Sequence, residues 1–338
     1  MAQKDGLHDG YEERGKINRG VKMREAPMVS VVIPTYNRKD MLKECLDSLF
    51  NQTYPKDKYE IIVVNDGSTD GTEEVLKEYA KKAPCIFKWF SQENKGVAAA
   101  MNLGIKNAEG EIVCFTADDC IADEKWIENL VKEFTNEKVG GVGGEIVAYN
   151  PKTLVEKYGV SFDQRNVSKV SLITGNCAYK KKVFEEVGLF DTKLKGLEDI
   201  DFGIRVKMKG YELNFTPDAI VFHRHYNTLR SLIKRKYKEG IQFACLSKKY
   251  TKHFNPQYYA SIFLLRVLRT LILLPLRMSK SKSAFLRDIF SIIVLISTFL
   301  GFLRGMLVEE YPGNKITEKI DFLGDESLIA MIKRKITF

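Results

Sequence analysis

The 338-residue chain contains no Cys-x-x-Cys pair among its six cysteines, Cys45, Cys85, Cys114, Cys120, Cys177 and Cys245. Several sit inside apolar runs, which predicts reduced thiols packed as small hydrophobes rather than disulfides or a zinc site. No Gly-x-Gly-x-x-Gly follows the first apolar run, which disfavours dinucleotide binding. Residues 1–26 are polar and mixed in charge, so they read as a flexible leader and not as a signal peptide. On that expectation the folded part stays in the cytoplasm, and the Asn-x-Ser/Thr matches at Asn51 and Asn166 are chance. There is no internal repeat and no low-complexity segment. What is present, 44% hydrophobic and 29% charged residues, suits one large α/β domain plus an appendage.

Acids are nearly missing from one region. Across residues 224–287, 15 Lys and Arg face a single acid, Glu239, a local +14 that leaves about −5 for the rest of a chain of net charge +9. Such asymmetry points to an anionic partner for the C-terminal third, and the neighbouring apolar sequence favours a membrane surface over nucleic acid. Residues 260–276 are apolar but interrupted by Arg266, Arg269 and Pro275; residues 289–308 are apolar except for Arg304. The second stretch just suffices to span a bilayer. The basic connection 277–287 should stay on the cytoplasmic side, which two spans would prevent. A pair of interfacial or re-entrant helices meets both demands and is preferred to one true span. A buried helical hairpin is the remaining alternative.

Apolar runs at 29–33, 59–64, 86–90 and 111–115 read as strands, the first stopped by Pro34. Helical spacing lies between them at 41–50 (with Asp40 as cap), up to about 81, and at 97–107. This alternation predicts an α/β fold with a mainly parallel sheet and right-handed crossovers. Beyond it, 140–147 reads as a glycine-weakened turn into a strand, followed by 172–178, a helix at 181–187, a helix from 198 to about 209, and a closing strand at 220–223. The expected units are a leader (1–26), a catalytic domain (27–228) and a basic, helical, membrane-associating region (229–338).

Asp118 and Asp119 sit where the fourth strand empties into a loop, the usual ligand position of open α/β sheets. Two adjacent hard oxygen donors suit Mg²⁺ or Mn²⁺ carrying a diphosphate, or else cap a helix beginning near Glu124. Asp66, before Gly67, can accept the N–H of a nucleotide base or cap a helix, a role Asp70 fits better. Pro34, Thr35, Tyr36 and Asn37, at the equivalent strand end, can wall a base pocket. Asn94, Gly96 and Asn102 face ribose or phosphate, or are ordinary caps. Asp199, flanked by Glu198 and Asp201, is either a helix-dipole partner or a general base. His223 is either a packed residue or a nitrogen ligand that favours Mn²⁺. Gly175 and Asn176, with Glu198, border an acceptor site or form a turn.

These pieces occur together, in order, in one family. Residues 29–226 resemble the family 2 glycosyltransferases, inverting enzymes of the GT-A fold. The matching segments are Val31-Val32-Ile33-Pro34-Thr35-Tyr36-Asn37-Arg38, Val63-Val64-Asn65-Asp66-Gly67-Ser68-Thr69-Asp70, Asn94 to Asn102, Ala117-Asp118-Asp119, Gly188-Leu189-Phe190-Asp191, Glu198 to Arg205, and Pro217 to His223. The resemblance implies that Thr35 and Asp66 contact the base. It gives Asp118 and Asp119 together the ribose–diphosphate and the Mn²⁺ or Mg²⁺, Asp199 the role of base and His223 a further metal or diphosphate contact; Asp119 is taken as the direct metal ligand and Asp118 as its ribose-side neighbour. Many relatives carry an acid where this chain has Ala117. The expected partners are a UDP- or GDP-sugar donor, a lipid-linked or glycan acceptor and an anionic membrane surface, at the cytoplasmic face. The basic segment 230–252 would hold an acceptor phosphate or anionic head groups. Processive members carry Gln-x-x-Arg-Trp after the base; Trp89 and Trp126 both precede it, so single-sugar transfer in cell-envelope or glycoprotein glycan assembly is expected. A sugar-nucleotide pyrophosphorylase lacks support, since its N-terminal Gly-rich, Arg-containing loop is missing. Retention of Asp119, Asp199 and His223 argues against a non-catalytic scaffold.

Overall fold

A computed structural model describes residues 26–159, 164–250, 261–262, 264–272, 282–308 and 311–312. The leader up to residue 25, and residues 260, 263 and 273–276 of the first apolar segment, lie outside the described residues.

Eight strands form one sheet in the order β3-β2-β1-β4-β7-β6-β8-β5. β1 (Val29–Thr35), β2 (Tyr59–Asn65), β3 (Ile86–Ser91) and β4 (Ile112–Thr116) are parallel, as the alternation predicts. Helices α1 (Lys39–Phe50), α2 (Thr72–Lys82) and α3 (Val97–Lys106) connect them. β1 and β2 are buried almost throughout, because helices cover both faces; β3 is a half-exposed edge. Then the regularity ends. After β5 (Cys120–Ala122) and α4 (Trp126–Val131), β6 (Val139–Ala148) lies between β7 (Asn176–Lys180), antiparallel to it, and β8 (Glu212–His223), parallel to it. Short helices α5 (Leu154–Tyr158), α6 (Gln164–Val167) and α7 (Lys181–Val187), and then α8 (Glu198–Met208), fill the remaining connections.

Three local expectations need correction. Pro34 does not stop β1, which runs to Thr35; Pro34 lies beyond Val32, the last residue paired with β4, so its missing N–H breaks no ladder on that side. Asp40 is not the cap of α1: Arg38 occupies that position, and the Lys39 N–H donates to Asp70 Oδ2 at 2.9 Å. The closing strand starts at Glu212, eight residues early. Its pairing with β6 jumps from Thr216 to Ile220, letting Pro217, which cannot donate, bulge out.

One face of the sheet carries an aromatic cluster of Phe115, Tyr179, Phe184, Phe190 and Phe202, with ring centroids 4.8–6.5 Å apart. Such pairs contribute about 0.5–1.5 kcal/mol each beyond area burial. The opposite face packs Ile33, Leu46, Trp126 and Val142. A further core joins Ile200 and Ile204 of α8 to α9 (Leu229–Lys249) and α10 (Lys282–Val308) through Phe243, Leu246, Leu295 and Phe302. α9 and α10 approach backbone to backbone: a Cβ on Gly240 would strike Thr298, and one on Gly301 would strike Tyr237.

Within α10, Lys282–Leu307 is long and apolar enough to cross a membrane, and an 18-residue stretch of it has mean hydropathy 2.0. It is two-faced: Val294, Leu295 and Phe302 are buried, while Ile296, Leu300, Leu303 and Leu307 are exposed. Leu264, Leu265, Leu268, Leu271 and Ile272, in the described part of the first apolar segment, are exposed as well.

Candidate active site

The strand order turns back between β1 and β4, since β2 and β3 continue on one side of β1 and β4 lies on the other. At that switch point the two strand ends splay apart and leave a crevice. A cleft of about 450 Å³ opens there. The end of β1 delivers Thr35, the N-cap of α1 delivers Arg38, and the β4–β5 turn delivers Asp118 and Asp119. The cleft also takes in Asp199, His223 and, from α9, Arg235 and Lys236.

The acid pair does not cap a helix: α4 begins only at Trp126, beyond β5, and has no side-chain cap. Asp118 is buried, accepting from Thr35 Oγ1 at 2.8 Å and from Arg38 Nη1 at 2.9 Å. The same Arg38 nitrogen donates to Asp119 Oδ2 at 2.6 Å. Burial pushes the Asp118 carboxyl above its ordinary value, and the Arg38 guanidinium opposes that rise. Asp119 Oδ1 lies 3.5 Å from His223 Nε2, across the Cys120–His223 pair that joins β5 to β8. Burial lowers the His223 pKa, against the pull of Asp119, so near neutral pH the ring keeps a lone pair to offer.

Asp119, Cys120 and His223 bring one ligand atom each within 4.8 Å of one another. A carboxylate oxygen and a neutral imidazole fit a divalent ion such as Mn²⁺, and Asp118 adds negative charge beside them. Arg38 supplies the balancing positive charge in this structure.

Asp199 opens α8 after Leu197, which adopts the left-handed conformation (φ +62°) that a branched residue rarely takes. Its Oδ1 accepts the Ile200 N–H at 2.8 Å, and its carbonyl accepts Ser171 Oγ at 2.5 Å. Glu198, beside it, also lines the cleft.

Pro34, Thr35, Tyr36, Asp66, Asp118, Asp119, Gly175, Glu198, Asp199 and His223 therefore share one cleft. Asp66, however, spends both oxygens on its neighbours, accepting from Gln92 Nε2, the Lys95 N–H and the Gly96 N–H at 2.7–2.9 Å. It thus fixes the loop that carries Asn94 and Gly96, neither of which lines the cleft. Asn37 accepts the Thr69 N–H at 2.7 Å and ties two loops together.

Two residues stand elsewhere. Asn102 donates to the Phe190 carbonyl and accepts the Phe190 N–H, and it does not line the cleft. Asn176 is fully buried, accepting from Trp126 Nε1 and donating to the carbonyls of Glu145 and Ala219. Both amides satisfy buried backbone, which explains why they lie in the core. Arg38 carries no signal in the sequence beyond its place in a matching segment, Arg235 and Lys236 of α9 carry none beyond the charge of the basic segment, and Tyr226, which also lines the cleft, carries none.

Residues 30–188 match the family-wide pattern described as Glycosyl transferase family 2, and residues 112–308 match Glycosyl transferase family group 2. Glycosyltransferase AglE of Haloferax volcanii is 33% identical over 224 residues, 63% of this chain and 72% of that protein. A Methanococcus voltae enzyme is 27% identical over 65% of this chain and 74% of its own length. Its name is dolichyl N-acetyl-alpha-D-glucosaminyl phosphate 3-beta-D-2,3-diacetamido-2,3-dideoxy-beta-D-glucuronosyltransferase. Some other relatives are longer proteins, of which the chain covers 57% or less. Among solved structures, the mannosyltransferase PcManGT of Pyrobaculum calidifontis, in complex with GDP-Man and Mn²⁺, superposes with a TM-score of 0.62 at 22% identity. The match covers 83% of this chain and 88% of that one. The likeness is one of fold, the curled and mostly parallel GT-A sheet flanked by helices.

Proposed function

We propose that this chain, which belongs to glycosyl transferase family 2 and is a glycosyltransferase that uses nucleotide sugars, moves a single sugar, with inversion, from a UDP- or GDP-sugar to a hydroxyl of a phosphate-bearing, lipid-linked acceptor. The carrying observation is that Asp199 opens into the same cleft as Asp118, Asp119 and His223.

In this reading Thr35 and Tyr36 wall the base, with Asp66 holding the loop behind it. Asp119 and His223 would hold Mn²⁺ or Mg²⁺, with Asp118 on the ribose side; such an ion supplies positive charge against the diphosphate. Arg38, bonded to both carboxylates and half-exposed, offers its guanidinium to phosphate oxygens. Asp199 accepts the proton of the acceptor hydroxyl, whose oxygen forms the new bond to the anomeric carbon. The bond from that carbon to the diphosphate breaks, and its electron pair departs with the diphosphate. Attack opposite the leaving group inverts the anomeric centre, as with the single-displacement carboxylates of glycosidases.

Acceptor and location follow from the far side of the cleft. Arg235 and Lys236 line it, and the Methanococcus relative is named for a dolichyl phosphate acceptor. The exposed apolar faces of α10 and of residues 264–272 suit insertion at an anionic membrane surface, on the cytoplasmic side, next to that phosphate site. This keeps 27–228 as the transferase unit and 229–338 as the membrane-associating region.

The test is Mn²⁺-dependent release of nucleoside diphosphate from a panel of UDP- and GDP-sugars with a polyprenyl-phosphate-linked acceptor, the product anomer being read by NMR. Inverted product is expected. Retained configuration, or neither turnover nor nucleotide–Mn²⁺ binding with any donor, overturns the proposal.

A further inference from the structure

Four charged side chains lie together on the side of α8 away from the cleft, Asp201 and Lys249 buried, Asp191 and Arg205 half-buried. Lys249 Nζ, at the end of α9, is 2.5 Å from Asp201 Oδ1 and 2.7 Å from Asp191 Oδ2. Arg205 Nε donates to Asp201 Oδ2 at 2.9 Å, and its other nitrogens donate to the carbonyls of Val187 and Leu189 at 3.0 and 2.7 Å. Tyr250 donates to Asp201 at 2.8 Å and Tyr311 to Asp191 at 2.5 Å. Two acids meet two bases, so the set is neutral, and Asp201 is wholly buried within it. Burial would raise the Asp191 carboxyl, yet bonds from Lys249 and Tyr311 hold it below its ordinary value.

The placement on the helix matters more than the charge balance. Asp199 and Asp201 are two residues apart in the first turn of α8, roughly 200° around the helix axis. When Asp199 faces the cleft, Asp201 faces the clamp behind it. A second contact fixes the helix along its length: a Cβ at Gly203 would strike Ser171, the residue whose hydroxyl holds the Asp199 carbonyl. Asp191 continues the clamp into the 188–191 loop, where Phe190 is held by Asn102. Lys249 is thus the cation that joins that loop, the base helix and α9.

We infer that Lys249 is a positioning residue for Asp199. It acts through Asp201 to set the rotation of α8, so the C-terminal helices complete the catalytic geometry as well as approach the membrane. The inference rests on Asp199 being the base. A carboxylate that must meet a hydroxyl at hydrogen-bond distance loses rate steeply when its helix turns.

The experiment uses the full chain in lipid nanodiscs and compares Lys249→Met, Lys249→Arg and Tyr250→Phe. Nucleotide–Mn²⁺ affinity is measured by calorimetry, and kcat and KM for donor and acceptor by turnover. Lys249→Met is expected to lower kcat about tenfold or more while nucleotide affinity stays within about twofold, and Lys249→Arg to recover most of the loss. Tyr250→Phe, which deletes one hydrogen bond and keeps every charge, should cost about two- to fivefold in kcat and keeps the test open if Lys249→Met fails to fold. In an Asp199→Asn background, Lys249→Met should add nothing to the loss. Independent, multiplying losses overturn the inference, as does a kcat that falls only in step with nucleotide binding. Full kcat in Lys249→Met beside an inactive Asp199→Asn overturns this inference alone; full kcat in Asp199→Asn overturns the base assignment beneath it.

Discussion

At the proposed nucleotide end of the cleft, Asp118 and Asp119 follow β4, a strand hydrogen-bonded on both sides to β1 and β7. Their position is set by backbone register, and the side chain bridging them, Arg38, comes from the neighbouring strand end. At the proposed acceptor end, Asp199 lies in the first turn of a helix whose back is held by Lys249 and whose core is shared with α9 and α10. One end is placed by a sheet ladder, the other by a buried ion cluster and helix packing. A ladder is local and stiff; a cluster depends on a segment far along the chain. The two ends should therefore respond differently to substitution.

The largest effects should come from the acids in the cleft. Asp119→Ala should abolish nucleotide–Mn²⁺ binding and turnover together, whereas Asp199→Asn should lower kcat by about 10³-fold with nucleotide binding retained, calorimetry and turnover separating the two. Equal loss of binding in both variants would erase the division between the ends. Next, Arg235→Ala combined with Lys236→Ala should raise KM for a phosphate-bearing acceptor by about ten- to a hundredfold with little change for donor, more so at low salt. A donor-side change instead would move these residues to the nucleotide end.

Leu300→Ser with Leu303→Ser and Leu307→Ser should weaken binding to anionic vesicles by about tenfold in a flotation assay, with the melting temperature unchanged, since these side chains are exposed. A fall in melting temperature with vesicle binding intact would mark the face as buried against protein. The smallest effect on function belongs to Asn102→Ala. It should cost about 2 kcal/mol of stability, from the Phe190 backbone left unpaired, while nucleotide affinity of the folded protein is kept. Lost affinity without lost stability would restore Asn102 as a ligand-facing residue.

Legibility followed the same contrast. The four parallel strands and the acid pair were readable because apolar runs ending in Asp, Asn and Gly mark strand ends one at a time. Pro34 misled because a proline is harmless where a ladder has already finished. Asn102 and Asn176 misled because an amide near a loop looks like a ligand until its partners are known. Those partners lie 88 residues away at Phe190 and 50 at Trp126. Arg38 was visible as a letter but not as a role, since its role is to bridge carboxylates brought in from another strand.

The sequence by itself determined the α/β core, the acids at its strand ends, the family and the basic, apolar character of the last third. The core and the character of the last third rest on composition and periodicity, which neighbouring residues carry among themselves, and the family rests on the resemblance of short segments in a fixed order. Only the tertiary structure decided that α9 reaches the cleft with Arg235 and Lys236, that Asp66 braces a loop, and that Lys249 grips the helix of Asp199. Those facts are meetings between residues far apart in the chain, fixed by burial and charge pairing at the moment the helices dock.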